Sequence, residues 1–137
     1  MLALLYVSVG GCAREDTPLE DQCRRVDAMA EPVIEVRCAC DVAAGDYPDL
    51  ASCRAEFVGL QDLTDCICPL HDEHPDSKAG LDCKEANSEV YVACMQAAGC
   101  DAEKLDRCEG EAVIAALECP PVPSAFLNDL KACYDSQ

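Results

Sequence analysis

The sequence has no tryptophan, two phenylalanines and four tyrosines, so it has few of the large side chains that usually fill a protein core. Its apolar residues include many alanines and thirteen cysteines, and 137 residues suffice for one small domain with a marginal core. Basic residues are scarce too: 10 against 27 acidic residues give a net charge of −17. This charge repels phosphates, so we expect no nucleic-acid partner.

Short motifs of common catalytic sites are also missing. The sequence contains no G-x-S-x-G, no phosphate-binding P-loop and no H-E-x-x-H. Its acidic residues are scattered and do not form an EF-hand calcium loop. We therefore expect a non-enzymatic protein without a cofactor.

The first eleven residues have the character of an export signal. Residues 2–9 are apolar except for Ser8; they are too few to span a bilayer but suit the apolar region of a secretory signal. Val9-Gly10-Gly11-Cys12 resembles the bacterial lipobox, in which the cysteine is acylated and the signal is cut just before it. The resemblance implies a signal over residues 1–11, lipidation of Cys12, a tether over 12–16 and a single domain over 17–137.

Two neighbouring residues refine this expectation. A signal normally opens with Lys or Arg, and the first basic residue here is Arg14, so we expect the true start to lie upstream of Met1. Ala13 follows the cysteine, where Asp would favour the inner membrane. By the same resemblance the lipid anchor would hold the protein in the bacterial envelope, at the outer membrane or facing the periplasm. A secreted form is the alternative.

Cysteine parity supports the lipobox. Thirteen is an odd number, and an odd cysteine in an oxidising compartment requires an explanation. If Cys12 carries lipid, twelve cysteines remain and can pair completely in an exported protein. They are Cys23, Cys38, Cys40, Cys53, Cys66, Cys68, Cys83, Cys94, Cys100, Cys108, Cys119 and Cys133.

Helix signals dominate the rest of the chain, and no stretch alternates with period two for long enough to form a sheet. The sequence therefore predicts an all-α, disulfide-crosslinked domain. Thr17-Pro18-Leu19-Glu20 reads as a capping box, and Asp101 and Ser124 read as helix caps. The predicted helices cover about 17–30, 48–60, 78–97, 102–118 and 124–132, with residues 33–37 extended.

The strongest geometric signal is a pair of cysteine spacings. Cys83 and Cys94 are 11 residues apart, as are Cys108 and Cys119, and this is close to three helical turns. A short link around Gly99 lets the two helices fold back as an antiparallel hairpin. We therefore predict the disulfides Cys83–Cys119 and Cys94–Cys108. The arrangement is similar to the twin C-x9-C hairpins of coiled-coil-helix proteins, although the spacing here is one residue longer.

Other pairings are less constrained by the sequence. Cys100, at the hairpin turn, and Cys133, on the last helix, form a tentative third pair. The partners of Cys23, Cys38, Cys40, Cys53, Cys66 and Cys68 stay open, with bridges among these six as the working expectation.

The segment from Ala97-Ala98-Gly99-Cys100-Asp101 into a cysteine-bearing helix and a proline-interrupted link resembles small Cys-rich helical lipoproteins of bacteria with complex envelopes. This resemblance implies a fold but no molecular activity.

One local cluster has the residue types of a metal site. Cys66, Cys68, His71 and His74 could supply tetrahedral zinc with two thiolates and two imidazoles. The alternative, favoured outside the cytosol, is a solvated polar loop next to disulfide cysteines. The C-x-C pairs, Cys38/Cys40 and Cys66/Cys68, could also exchange disulfides, although structural bridges are the expected role.

Three functions follow from these patterns. The first is an envelope-anchored lipoprotein with a structural or protein-interaction role, whose partners are the membrane, through its lipid, and another protein. The second is a periplasmic metal-binding or thiol–disulfide protein that uses residues 66–74. The third, a secreted inhibitor or toxin-like module, shares the cysteine density but does not explain the lipobox.

Overall fold

The computed structural model describes residues 18–57 and 63–136, and these residues form an all-α fold, as predicted. The predicted signal segment, Cys12, the predicted tether and Thr17 lie outside the described residues. The helices are α1 (Leu19–Ala28), α2 (Ala30–Ala44), α3 (Leu50–Ala55), α4 (Thr64–Glu73), α5 (Lys78–Ala98), α6 (Ala102–Leu117) and α7 (Ser124–Asp135), with a 3-10 turn at Pro75–Ser77.

The long helix α5 is the centre of the packing. It forms an antiparallel hairpin with α6 and also packs against α2 and α1. Helix α4 packs against α1 on one side and α7 on the other, and α3 packs on α2. The hairpin turn needs Gly99, whose φ of 57° lies in the left-handed region that other residues avoid.

The local sequence explains where several helices begin. Asp101 caps α6 by accepting a hydrogen bond from the Lys104 amide at 3.1 Å, as predicted. Asp49 caps α3 in the same way through Ser52 at 2.8 Å. Ser124 is the first residue of α7 and is not its cap, which is Pro123.

Residues 33–37 are helical and not extended, so that prediction is wrong. They lie in α2, where Val33 and Val36 pack against the buried Met95 of α5. Burial on a helical face outweighs the weak preference of β-branched residues for strands. Pro32 is tolerated in the first turn of α2, because the N–H groups there have no partner within the helix. The helical structure is interrupted between α1 and α2 at Met29.

Residues 69–74 are not a polar loop either, because α4 runs through them to Glu73 with Pro69 inside the helix. In place of the predicted helix over 48–60 the structure has the short α3, Leu50–Ala55. Residues 58–62 lie outside the described part of the chain.

The buried residues form two small clusters, in which three of the seven residues are cysteines. One cluster contains Cys23, Val26, Cys68 and Leu81, between α1, α4 and α5. The other contains Met95, Leu105 and Cys108, between α5 and α6. Both are small, so the disulfides carry part of the task that a hydrophobic core performs in larger domains.

Each of the twelve described cysteines is in a disulfide. The two predicted rungs of the hairpin, Cys83–Cys119 and Cys94–Cys108, are present. The other four bridges are Cys23–Cys68, Cys38–Cys53, Cys40–Cys100 and Cys66–Cys133.

The proposed pair Cys100–Cys133 is wrong. Cys100 lies in the α5–α6 turn, and because α2 packs on α5, the turn reaches Cys40. Cys133 lies on α7, which packs on α4, so it pairs with Cys66. The expectation that the first six cysteines bridge only among themselves fails for the same reason.

Both C-x-C motifs lie on helices. Residues two apart on a helix point about 200° away from each other, so the two cysteines face different neighbours. Cys38 binds α3 while Cys40 binds the hairpin turn, and Cys66 binds α7 while Cys68 binds α1. Each motif therefore connects one helix to two partners.

Candidate functional site

His71 is at the centre of the junction between α4, α5 and α7. Its side chain is buried at 7% exposure; its Nδ1 lies 2.8 Å from the Ser77 hydroxyl, and its ring packs on Phe126 with centroids 4.7 Å apart. Burial and then the nearby Lys84 charge lower the pKa of His71 below its ordinary value. The imidazole is therefore held in its neutral form.

A histidine bonded to a serine is also the pair used in nucleophilic catalysis. Here Ser77 is 1% exposed, so its hydroxyl has no access to a substrate. The geometry supports a structural role for this pair, which joins the 3-10 turn to α4.

His74 lies on the other side of Phe126. Its Nε2 is 2.7 Å from an Asp129 carboxylate oxygen, and its ring meets the Phe126 ring edge-on at 5.8 Å. Glu73 lies close enough that the ligand atoms of Glu73, His74 and Asp129 all fall within 4.8 Å of one another. These three side chains could hold a metal ion between α4 and α7.

The predicted zinc set is not assembled. Cys66 and Cys68 are in disulfides and point to opposite sides of α4, so neither offers a thiolate. His71 is bonded to Ser77, and in the described residues it belongs to no group of converging metal ligands. Two of the four predicted ligands lie in such groups within the described residues. Cys68 lies near Cys23 and Asp27 but is bonded to Cys23, whereas His74, with Glu73 and Asp129, keeps its ligand atom available.

A cleft with a volume of about 600 Å³ opens beside His71, and this size is typical of small-molecule sites. Its lining comes from α4, α5, α6, α7 and the link between α6 and α7, with the largest share from α5. The lining residues are Ile67, His71, Gly80, Leu81, Lys84, Asn87, Ser88, Tyr91, Ala112, Ala116, Cys119, Pro120, Pro121, Val122, Phe126, Leu130 and Tyr134.

Crosslinks and one side-chain contact hold the walls of the cleft. Cys83–Cys119 fixes the end of α6 to α5, and Cys66–Cys133 fixes α7 to α4. Asn87 donates a hydrogen bond from its amide to the Ala115 carbonyl at 3.0 Å. Gly80 permits the link to approach, because a Cβ there would lie 3.3 Å from the Pro120 carbonyl oxygen.

Apolar side chains continue from the cleft onto the outer surface of α6. Val113, Ile114 and Leu117 are exposed there, Leu117 at 81%. Tyr134 lines the cleft from α7 and is itself half exposed. An exposed apolar rim next to a cleft is typical of a binding surface.

The cleft was not predicted from the sequence, although α7 carries a signal for it. Phe126, Leu130 and Tyr134 recur every four residues and so form one face of the helix. Pro120 and Pro121, in the proline-interrupted link after α6, also line the cleft.

Comparison with known proteins gives no relative from which to assign a function. No protein-family model matches the chain, and neither the curated proteins nor the solved structures contain a match. Among the described residues, none of the helices combines the length and apolar character needed to cross a bilayer.

Proposed function

We propose that this chain is a non-enzymatic, envelope-anchored lipoprotein whose crosslinked helical domain binds an apolar ligand in the α5–α6–α7 cleft. The observation that carries the binding role is the cleft itself: about 600 Å³, lined mainly by apolar side chains, between helices that disulfides hold in place. A preformed apolar cavity with a few polar groups is the usual form of a ligand site.

Cysteine chemistry supports the anchor. The six disulfides use the twelve cysteines that follow Cys12, which is the parity that lipidation of Cys12 predicts. Disulfides of this density belong in an oxidising compartment, and that agrees with export.

The chemistry of the described residues favours binding over catalysis. The Ser77 hydroxyl is buried against His71, and the cysteines of both C-x-C motifs are in separate bridges. The thiol–disulfide alternative would require one of these motifs to form a bridge within itself. The cleft instead offers a ligand an apolar surface in a cavity of about 600 Å³.

The anchor is tested by expressing the chain behind a basic signal start in a bacterium with lipoprotein-processing enzymes. We expect radiolabelled palmitate to enter the wild type and not Cys12→Ala. The intact mass should begin at Cys12, carry acyl groups and show the loss of twelve hydrogens from six disulfides. An unlabelled product in the medium would instead favour the secreted inhibitor or toxin-like module.

The binding role is tested with the oxidised protein and a neutral apolar probe, dodecanol. We expect saturable binding with one site per chain, and weaker binding by Ala112→Phe, which places a large ring in the cleft wall. The matched control is Ala102→Phe, at the start of the same helix and outside the lining. Equal binding by both variants would contradict the proposed site.

Metal binding is a second candidate, because Glu73, His74 and Asp129 converge. One imidazole and two carboxylates suit zinc or manganese. Calorimetric titration with Zn²⁺ should show one site that His74→Ala removes and His71→Gln retains. If His74→Ala binds Zn²⁺ as His71→Gln does, this cluster is not the metal site.

A further inference from the structure

Charge is distributed unevenly between the cleft and the rest of the molecule. Acidic residues number 27 in the chain, yet none of the seventeen lining residues is Asp or Glu. The one side chain in the lining with a permanent charge is Lys84, and it is positive. A strongly acidic protein thus contains a mainly apolar cleft whose one permanently charged lining residue is basic.

Lys84 is in a position to contact a bound molecule. It lies on the α5 face that also presents Gly80, Asn87 and Tyr91 to the cleft, and its side chain is 60% exposed. Its ammonium forms an ion pair with Asp27 at 3.5 Å, longer than the roughly 2.7–2.9 Å of a charge-assisted hydrogen bond, and such an exposed pair is weak. The positive charge of Lys84 also lowers the pKa of His71, so the two side chains are close in space.

Neutral hydrogen-bonding groups lie on the same face. Asn87 and Ser88 follow Lys84 by one turn of α5, and Tyr91 by two.

The lining of α5 from residue 80 to residue 91 rises about 16 Å along the helix. This length is comparable with an extended acyl chain of medium length.

On this basis, and resting on the proposed binding function, we infer that the cleft takes an aliphatic carboxylate, a fatty acid, with its carboxylate at Lys84 and its chain against Val122, Phe126 and Leu130. The apolar lining removes the chain from water, at about 0.8 kcal/mol per CH₂. The Lys84 ammonium selects the anion over a neutral or cationic head, because it is the one permanently charged group of the lining and acts at short range against the repulsion from the net charge of −17.

The experiment compares three probes with twelve-carbon chains: dodecanoate and dodecyltrimethylammonium below their micelle concentrations, and dodecanol below its solubility limit. Calorimetry on the oxidised protein at low salt should give the tightest binding for dodecanoate, about tenfold tighter than dodecanol. Shortening the acid to decanoate should weaken binding, by up to about fourfold for each CH₂ removed.

Variants locate the anion contact. Lys84→Gln should abolish the roughly tenfold preference for dodecanoate over dodecanol, and Lys84→Arg should restore the preference. Lys104→Gln, which removes the same charge from outside the cleft, is the matched control. Far-UV circular dichroism establishes that each variant is folded.

The outcomes separate this inference from the function on which it rests. If dodecanoate and dodecanol bind equally and Lys84→Gln changes neither, the anionic ligand is wrong while the apolar site stands. If no probe binds, both the ligand class and the binding function are wrong. If dodecanoate binding survives Lys84→Gln and Ala112→Phe alike, the acid binds outside the cleft and the inference is overturned.

Discussion

Individual polar side chains connect helices that are distant in sequence. Gln22 of α1, itself buried, donates from its amide to Asp82 at 2.9 Å and to Glu85 at 2.6 Å on α5. Asp27 accepts a hydrogen bond from Thr64 at 2.9 Å. Contacts of this kind are not visible in a sequence, because they depend on which helices become neighbours.

The start of α1 also depends on a side chain of a neighbouring helix. The sequence predicts a local capping box, but the oxygen that caps α1 belongs to Asp72 of α4. It accepts hydrogen bonds from the Leu19 and Glu20 amides at 2.7 and 3.3 Å.

Removing this cap should cost stability. We expect Asp72→Ala to lower the free energy of unfolding by about 0.5–2 kcal/mol, since two amides at a helix start lose their acceptor. Asp72→Asn retains the oxygen and should lose less. Asp76→Ala, also exposed and three residues beyond the end of α4, is the control, and urea unfolding measures all three. An Asp72→Ala midpoint equal to that of the control would contradict the role of this cap.

His71 should make stability depend on pH. Burial lowers its pKa in the folded state from the ordinary 6.5, so the unfolded chain binds a proton at a higher pH than the folded one. The contribution of His71 to the free energy of unfolding is complete above pH 6.5 and falls as the pH drops from there towards the folded-state pKa. The excess of wild-type over His71→Gln stability should therefore shrink between pH 7.5 and 5. Charges around the ring, on Lys84, Asp27, Asp72 and His74, are common to both proteins.

Thermal unfolding of both proteins in one buffer series provides the measurement. A constant difference between wild type and His71→Gln across this range would mean that the ring does not resist protonation.

At the scale of helices, the features that could be predicted from the sequence are those that depend on residues close together in the chain. The α5–α6 hairpin was predictable because cysteine spacing, helix rise and one glycine turn together determine which residues face each other. The other pairings depend on how α1, α2, α4 and α7 pack, and twelve cysteines allow about ten thousand connectivities.

Loop length should rank the disulfides by their effect on stability. Cys94–Cys108 closes a separation of 14 residues and Cys66–Cys133 one of 67. In the chain-entropy view, either bridge contributes about 2–4 kcal/mol and the longer loop contributes more. Each pair joins one buried cysteine to one that is less buried, so the double alanine variants are matched. Urea unfolding should show the larger loss for Cys66→Ala/Cys133→Ala, and the reverse order would contradict the ranking.

At the scale of the whole molecule, stability depends on the disulfides because the buried clusters are small. Low aromatic content and high cysteine content already indicated this from the sequence. The cleft was not predictable, since it forms between α6 and α7, which belong to different crosslinked groups.

Reduction should therefore unfold the domain at room temperature. Six bridges at about 2–4 kcal/mol each exceed the net stability of a typical small domain, even if they are far from additive. Far-UV circular dichroism with and without dithiothreitol measures the loss of helix, and oxidised dithiothreitol is the control. A sharp thermal transition retained in the reductant would show that the clusters suffice alone.

The C-x-C motif of α4 has a consequence for proteolysis. Cys23–Cys68 encloses every peptide bond between residues 23 and 68, and Cys66–Cys133 encloses every one from 66 to 133. Since the two intervals overlap at α4, a single cut anywhere from Cys23 to Cys133 leaves both fragments covalently joined. A clipped molecule would migrate as one band until its disulfides were reduced, and any lipid on Cys12 would still retain both fragments at the membrane.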